Sequence, residues 1–256
     1  MARSWQGAAR RAANVKARIA SAEENHLPLC TVPDPVSGLP CGRFTARAAK
    51  QGLSQFVCRH HQQHKQRYGS HWCKSPSAAL FRPYAAAALN FIRSHREDPY
   101  VTAAIAGLGG VMATAGPVEI ATRLRGLPPE QRARIALARL REAEIKPERL
   151  LAIAVAVHAL IEDAPEKCHK ITDWRVTGIA KAAHRLASGT HRQWPVYQQD
   201  GSVKQLEMHA YPRSSGRVLR YLGAMIEKEC EWVIERHLAE VVALKRAAEP
   251  VANPAP

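Results

Sequence analysis

The chain has 256 residues, 37 Lys and Arg against 22 Asp and Glu, and a formal net charge of +15. Apolar residues make up 46% and aromatics 6%, which excludes a disordered chain, a collagen-like repeat, a disulfide miniprotein and an acidic solvating tail. Abundant Ala with few aromatics favours helices over a sheet-rich sandwich, and the positive excess points to a polyanionic partner, with nucleic acid first.

The charge is uneven. Residues 1–76 carry 12 basic and 3 acidic side chains, a net +9, and residues 77–256 carry 25 and 19, a net +6. Residues 1–24 read as a basic amphipathic helix, with Arg3, Arg10, Arg11, Lys16 and Arg18 and no acid before Glu23. Such a segment can be a transit peptide, an arm touching phosphates, or a solvated Ala-rich helix. No apolar secretory core is visible near the N-terminus, so the expected location is cytoplasmic.

Residues 25–74 form a Cys/His module. Four Pro and two Gly between Leu27 and Thr45 predict turns and at most short strands, and residues 53–69 read as helical with Cys58 near the start. Four of the six Cys fall in residues 30–73 among His residues, a pattern of metal ligation or reduced thiols rather than of a disulfide frame. The strongest set is Cys30, Cys41, Cys58 and His61. Zinc takes four such ligands in a tetrahedron, and Cys3His is a closed structural set. Cys58-x-x-His61 places sulfur and imidazole one helical turn apart on one face. Gly38 to Gly42 can form the tight turn that presents Cys41. His60, His64, His71 and Cys73 are possible substitutes for His61, and the alternative is a group of ordinary thiols beside a His-rich basic helix. No HExxH or deaminase pattern indicates a catalytic zinc.

This segment resembles the knuckle of short bacteriophage and bacterial mobile-element proteins, which carry a Cys, a Gly-x-Pro-Cys turn and a later Cys-x-x-His. Here those elements are Cys30, Gly38 to Cys41, and Cys58 with His61. In the family the last pair usually follows the turn sooner and Gly residues follow the His, whereas His61 is followed by Gln62-Gln63-His64. The resemblance implies a bacterial or phage origin, covers only this short segment, and implies nothing about activity.

Residues 75–248 read as a mainly α, bundle-like domain with one β-hairpin. Ser75 to Ser77 can cap a helix to about Ser94, and Asp98-Pro99 opens the next. Residues 99–118 are uncharged, but Ala, Gly and Thr dominate them. A buried helix, or a broken pair around Gly109-Gly110, is the reading, and no membrane span is expected. Pro117 opens a short helix, Pro128-Pro129 one to about Ile145, and Pro147 one to Asp163. Thr172 or Asp173 caps a helix that stops at Ser188-Gly189. Residues 194–211 then change period around Asp200-Gly201, the strongest short hairpin signal. From 214 to 248, Leu219, Leu222, Ile226, Cys230, Val233, His237, Val241 and Leu244 recur at three- and four-residue spacing. This long helix can pack on its own domain or pair with a second copy as a homo-oligomer. Residues 249–256 read as a disordered tail.

Two helices followed by a hairpin also fit a winged helix-turn-helix. Lys181, His184 and Arg185 share one face of the second helix, and His191, Arg192 and Lys204 fall on or near the wing. His158, His209 and His237 read as core or flanking residues, and Cys168 and Cys230 as plain thiols. Gly107 to Gly110 is not a dinucleotide fingerprint, because no strand precedes it. No catalytic triad, Walker loop or carboxylate pair is present. The expected function is a zinc-stabilised, non-catalytic nucleic-acid-binding protein, DNA ahead of RNA. Its contacts would be Arg43, Arg47, Lys50, Arg59, Lys65, Arg67, Lys181 and Arg185. A helical scaffold or assembly protein with a purely structural zinc module is the alternative.

Overall fold

The computed structural model describes residues 17, 27–34, 37–50, 54–120, 124, 126–163, 172–187, 190–198, 202–210 and 215–248, with side chains of 190–194 and 206–210 outside the description. The chain divides into two compact units, Met1–Cys73 and Lys74–Pro256. The basic segment 1–24, Cys168, the Asp200-Gly201 turn and the tail lie outside the described residues.

From residue 27 on, the described part of the first unit is a folded-back strand pair followed by one helix. Leu29 bridges Phe44 and Pro33 bridges Pro40, both antiparallel. Cys30 N–H donates to Arg43 O at 2.7 Å and Cys41 N–H to Val32 O at 2.9 Å. Gly38 (φ +69°) and Gly42 (φ +64°) supply the left-handed backbone at the tip and just after Cys41. Helix α1 spans Arg59–Tyr68 and ends at Gly69, which adopts φ 73°. It begins later than the sequence suggests, because 54–57 run past the strand pair: Thr31 N–H donates to Phe56 O and Ala46 N–H to Val57 O. None of its ten residues is buried.

The second unit is helical with one hairpin, as expected. Helix α2 spans Ala78–Ser94 and α3 Pro99–Ala113. Ser77 Oγ accepts from Leu80 N–H, and Asp98 Oδ1 accepts from Tyr100 and Val101 N–H, so both helices carry side-chain caps. Residues 116–120 after α3 are not helical, so Pro117 opens no helix there. Arg141 claims that stretch instead, donating to the carbonyls of Met112, Ala113 and Gly116 and closing the C-terminus of α3. Helix α4 spans Pro129–Glu142, α5 Pro147–Asp163 and α6 Thr172–His184. Both α4 and α6 stop short of their sequence-predicted ends.

Ten of the seventeen residues of α5 are buried, so it is apolar all round and central. It packs against α2, α3, α6 and the last helix, α7, Gly216–Ala247. Strand β1 (Thr190–Tyr197) pairs antiparallel with β2 (Val203–Ala210), with Trp194 opposite Leu206 and Tyr197 opposite Val203. The hairpin thus starts four residues before the sequence change at Trp194.

The predicted seam of α7 is buried at Leu219, Leu222, Ile226, Cys230, Val233 and Val241. At the C-terminal end the buried face shifts by one position. Val242 and Lys245 turn inward while Leu244 is 37% exposed, because Lys245 Nζ donates to Asp163 at 2.8 Å. The seam meets the chain's own helices α2 to α6. A Cβ on Gly223 would lie 2.0 Å from Val176 O, so α6 and α7 cross backbone to backbone. Gly107 is open for a comparable reason: the carboxylate of Glu229 occupies the space of its Cβ. Among the described residues no helix is long and apolar enough to cross a membrane.

Candidate metal centre

The described residues of the first unit form only a small apolar core. Among its described residues the buried apolar side chains are Cys30, Val32, Ala46 and Cys58, with Cys41, Val57 and Trp72 packed beside them. Three of those seven are thiols, and they converge. Cys30 leaves the first strand, Cys41 the second, Cys58 stands at the N-cap of α1 and His61 lies one turn into that helix. One ligand atom from each of the four lies within 4.8 Å of all the others.

The geometry could hold a metal ion. His61 Nδ1 is 3.4 Å from Cys30 Sγ and 3.6 Å from Cys58 Sγ. A tetrahedral metal with sulfur at roughly 2.3 Å and imidazole nitrogen at roughly 2.0 Å has a sulfur-to-nitrogen edge of about 3.5 Å. Both sulfur-to-nitrogen distances are close to that value, and Nδ1 is the nitrogen that faces the sulfurs. Cys41 is set by its turn: Arg43 N–H hydrogen-bonds the sulfur, which the left-handed Gly42 between them allows. A peptide N–H aimed at sulfur supports a thiolate there.

Without a cation Cys41 and His61 would rest neutral. Burial pushes the Cys41 thiol up to about 11, and the Cys58 and Cys30 thiols add to the effect, although the Arg43 N–H opposes it. Burial pulls His61 down to about 4, helped by His60, His71 and Arg43. The imidazole is therefore a ready lone-pair donor near neutral pH, whereas thiol protons must leave when a cation enters. Four protein ligands fill a tetrahedron, so the centre offers no open position for catalysis.

The alternative ligands have other partners. His64 Nδ1 faces Ser70 O at 2.8 Å and His71 Nδ1 faces His61 O at 3.3 Å; a ring nitrogen facing a carbonyl must be the protonated donor. Those bonds hold the loop 69–72 against α1, and the one from His71 secures the backbone of a ligand residue. His60 ring-stacks edge-on with His61 at 5.4 Å and stays outside the set. Cys73 is disulfide-bonded, which corrects the reading of it as a reduced thiol and removes it as a substitute, since a disulfide sulfur is not a thiolate. Cys230 is a free, buried thiol whose pKa burial pushes up, as its place on the α7 seam predicts.

Arg43, Arg47, Lys50, Arg59, Lys65 and Arg67 are all exposed on this unit. Lys181 and Arg185 lie in the second unit, on a cleft bordered by α2. Helix α6 buries seven of its thirteen residues, including Trp174 and Ile179. The helix–helix–hairpin order of a wing is thus present, but the helix before the hairpin is a core helix rather than one standing clear of its domain.

His158 is hydrogen-bonded, as expected, whereas the buried His237 Nε2 has no hydrogen-bond partner. His158 Nε2 is 2.8 Å from Glu227, which also accepts from Arg175 Nε at 2.7 Å. His237 lies 3.4 Å from Asp98 and between Phe91 and Glu240. His184 is held down at about 4 by burial and by Arg139 nearby. The side chains of His191, Arg192 and His209 lie outside the described residues.

Compared with protein-family models, curated proteins and solved structures, the chain matches none.

Proposed function

We propose that the protein is a zinc-stabilised, non-catalytic nucleic-acid-binding protein, with the metal centre as its folding element and the surface around it as its phosphate-binding face. Zinc is the metal this donor set favours, because borderline-soft Cys3His sites with tetrahedral geometry suit it better than the hard oxygen-seeking cations. The observation that carries the binding reading is exposed charge of one sign. Residues 27–73 contain six Lys and Arg and one acid, Asp34. All six cations are exposed, while Asp34 is turned to its own loop, accepting from Ser37 N–H at 2.9 Å. A unit this poor in apolar core, with this much one-signed charge, is well suited to a polyanion and poorly suited to folding without its metal. The knuckle's resemblance to phage and mobile-element proteins fits a bacterial genome-associated role in the cytoplasm.

The test is the salt dependence of binding to a short duplex DNA. The log–log slope of affinity against salt is expected near −0.9 per phosphate contacted. Replacing Arg43, Arg47 and Arg59 with Gln should flatten it by roughly two to three. Replacing Lys181 and Arg185 should leave it unchanged if the first unit alone holds the phosphates. No binding to DNA or RNA at low salt would refute the proposal and favour the scaffold reading.

A further inference from the structure

The second unit contains a cleft that neither the metal centre nor the phosphate-binding face uses. It has a volume of about 740 Å³ and lies between α2, α5 and α6. Its floor is apolar: Ile153, Val157 and Ala152 are buried there, and Phe81, Leu89 and Leu186 are half-buried around them. Its rim is cationic. Arg82, Arg149 and Arg185 are exposed at the edge, Lys181 is half-buried beside them, and among the described residues no carboxylate lines the cleft. Some other cations of this unit do meet acids: Lys245 and Arg246 share Asp163, and Arg175 holds Glu227. Among the described residues no ion pair engages Arg82, Arg149 or Arg185.

An apolar floor inside a ring of four cations selects its ligand. The ligand needs an apolar body for the floor and an anionic head for the rim. The size falls within the roughly 300–1,000 Å³ of small-ligand sites. A nucleotide fits poorly, because Phe81 is the only aromatic in the cleft and Ser75 its only neutral polar side chain, so bases would find little to stack on or bond to. A bilayer face fits poorly as well, because the apolar residues sit at the bottom of a concavity whose edge is charged.

We propose that the α2–α5–α6 cleft binds a single-chain anionic amphiphile from solution. Its chain would lie on Ile153, Val157 and Leu89, with its carboxylate or phosphate head among Arg82, Arg149, Lys181 and Arg185. The proposal is independent of the nucleic-acid reading.

The experiment titrates the full-length, metal-loaded protein with dodecanoate below its micelle concentration, followed by calorimetry. Saturable binding of one molecule per chain is expected. Acetate supplies the head without the chain, and decyltrimethylammonium a similar chain with the opposite charge; neither should bind appreciably. Arg149→Glu and Arg185→Glu should each weaken dodecanoate by at least about tenfold, the scale of a lost charge-assisted bond. Ala86→Trp, at an exposed position on α2 in the cleft wall, should block binding while circular dichroism shows an unchanged fold. The site is refuted by absent saturation, by equal binding of decyltrimethylammonium, or by indifference to all three substitutions. Binding to anionic vesicles without binding of monomeric dodecanoate would reassign the cleft to a membrane surface. Displacement of dodecanoate by a short oligonucleotide would reassign it to nucleic acid. Either result overturns the proposal.

Discussion

The two units solve the problem of folding with different materials. In the second unit α5 is buried on nearly every side, and α2, α3, α6 and α7 close around it. In the first, α1 buries no residue at all, and the centre is occupied by three thiols and an imidazole. The contrast reaches the helix starts. Helices α2, α3 and α7 begin at Ser77, Asp98 and Ser215, whose side-chain oxygens accept from backbone N–H groups. Helix α1 begins at Cys58, which makes no side-chain cap bond; its sulfur instead faces His61 Nδ1 at 3.6 Å. The position that elsewhere satisfies a helix end here contributes a sulfur to a cluster that could hold a metal ion. One unit is therefore stabilised by area, in many small and redundant contributions, whereas the other is proposed to depend on a metal held by this one cluster.

Metal removal should separate them most sharply. Structural zinc contributes roughly 10–16 kcal/mol of apparent binding free energy in small domains. A chelator should therefore unfold residues 27–73 and leave 74–248 helical. Amide NMR spectra are the measurement: resonances of the first unit should collapse to the unfolded region while those of α2 to α7 stay dispersed. Cys58→Ser should have the same effect without chelator. If both units melt together, the division of labour argued above is wrong. Metal affinity should also rise with pH across the neutral range. The Cys41 thiol, pushed up to about 11, has to release its proton, whereas His61, pulled down to about 4, has none to release.

The second unit is best broken at its closest crossing. A Cβ at residue 223 would meet Val176 O at 2.0 Å, and a backbone carbonyl cannot swing aside as a side chain can. Gly223→Ala should cost about 3 kcal/mol or more, at the upper end for overpacking. For a unit of this size that is a fall in Tm of roughly 6–12 °C. Metal content should not change. A drop of under a degree would mean that α6 and α7 separate more easily than their contact suggests.

Acid should act on the second unit through His184. Its folded pKa is depressed to about 4 by burial and Arg139, from an ordinary 6.5. The unfolded chain then binds a proton that the folded chain refuses between those values. Its contribution is intact above pH 6.5 and is lost as pH falls toward 4. The full effect is on the order of 3 kcal/mol. Asp163, held well below the usual carboxylate range by Lys245 and Tyr84, adds a further loss only below that window. Denaturant melts at several pH values, repeated on His184→Gln, should show a flatter slope in the variant. An unchanged slope would place the acid sensitivity elsewhere.

Features set by neighbouring residues were legible in the sequence. The spacing of Cys30, Cys41, Cys58 and His61 identified the cluster, because metal ligands must be few, soft and close to turns. Ser77, Asp98-Pro99 and Pro129 marked helix starts by local backbone chemistry, and the α7 seam followed from its period. Features set by distant partners were not legible. Arg141 reaches across 25 residues to Gly116 O, which gives the chain after α3 a partner other than the helix that Pro117 suggested. Lys245 turns inward only because Asp163, 82 residues away, is there to receive it. The basic face of α6 resembled a recognition surface because the burial of the rest of the helix depends on partners that no residue of α6 announces. Arg82 and Arg149 share a cleft with Lys181 and Arg185 only after three helices have packed.

The smallest effect tests the comparison at a single cap. Ser77 Oγ accepts from Leu80 N–H at 3.2 Å, and the site is exposed. Ser77→Ala leaves that donor to water, at a cost of about 1 kcal/mol, or roughly 2–4 °C in Tm. The loss should be confined to the first turn of α2, read as faster amide exchange at Leu80 and Phe81, because α2 is held further along by the buried Ala88, Phe91 and Ile92. The equivalent change at the start of α1, Cys58→Ser, supplies a better capping side chain than the native residue. It should nevertheless unfold its unit, because it removes a metal ligand. A conventional cap can thus be lost at little cost where apolar area carries the fold. If Cys58→Ser instead left the first unit folded and Ser77→Ala disrupted the second, the roles assigned to metal and to apolar area would have to be exchanged.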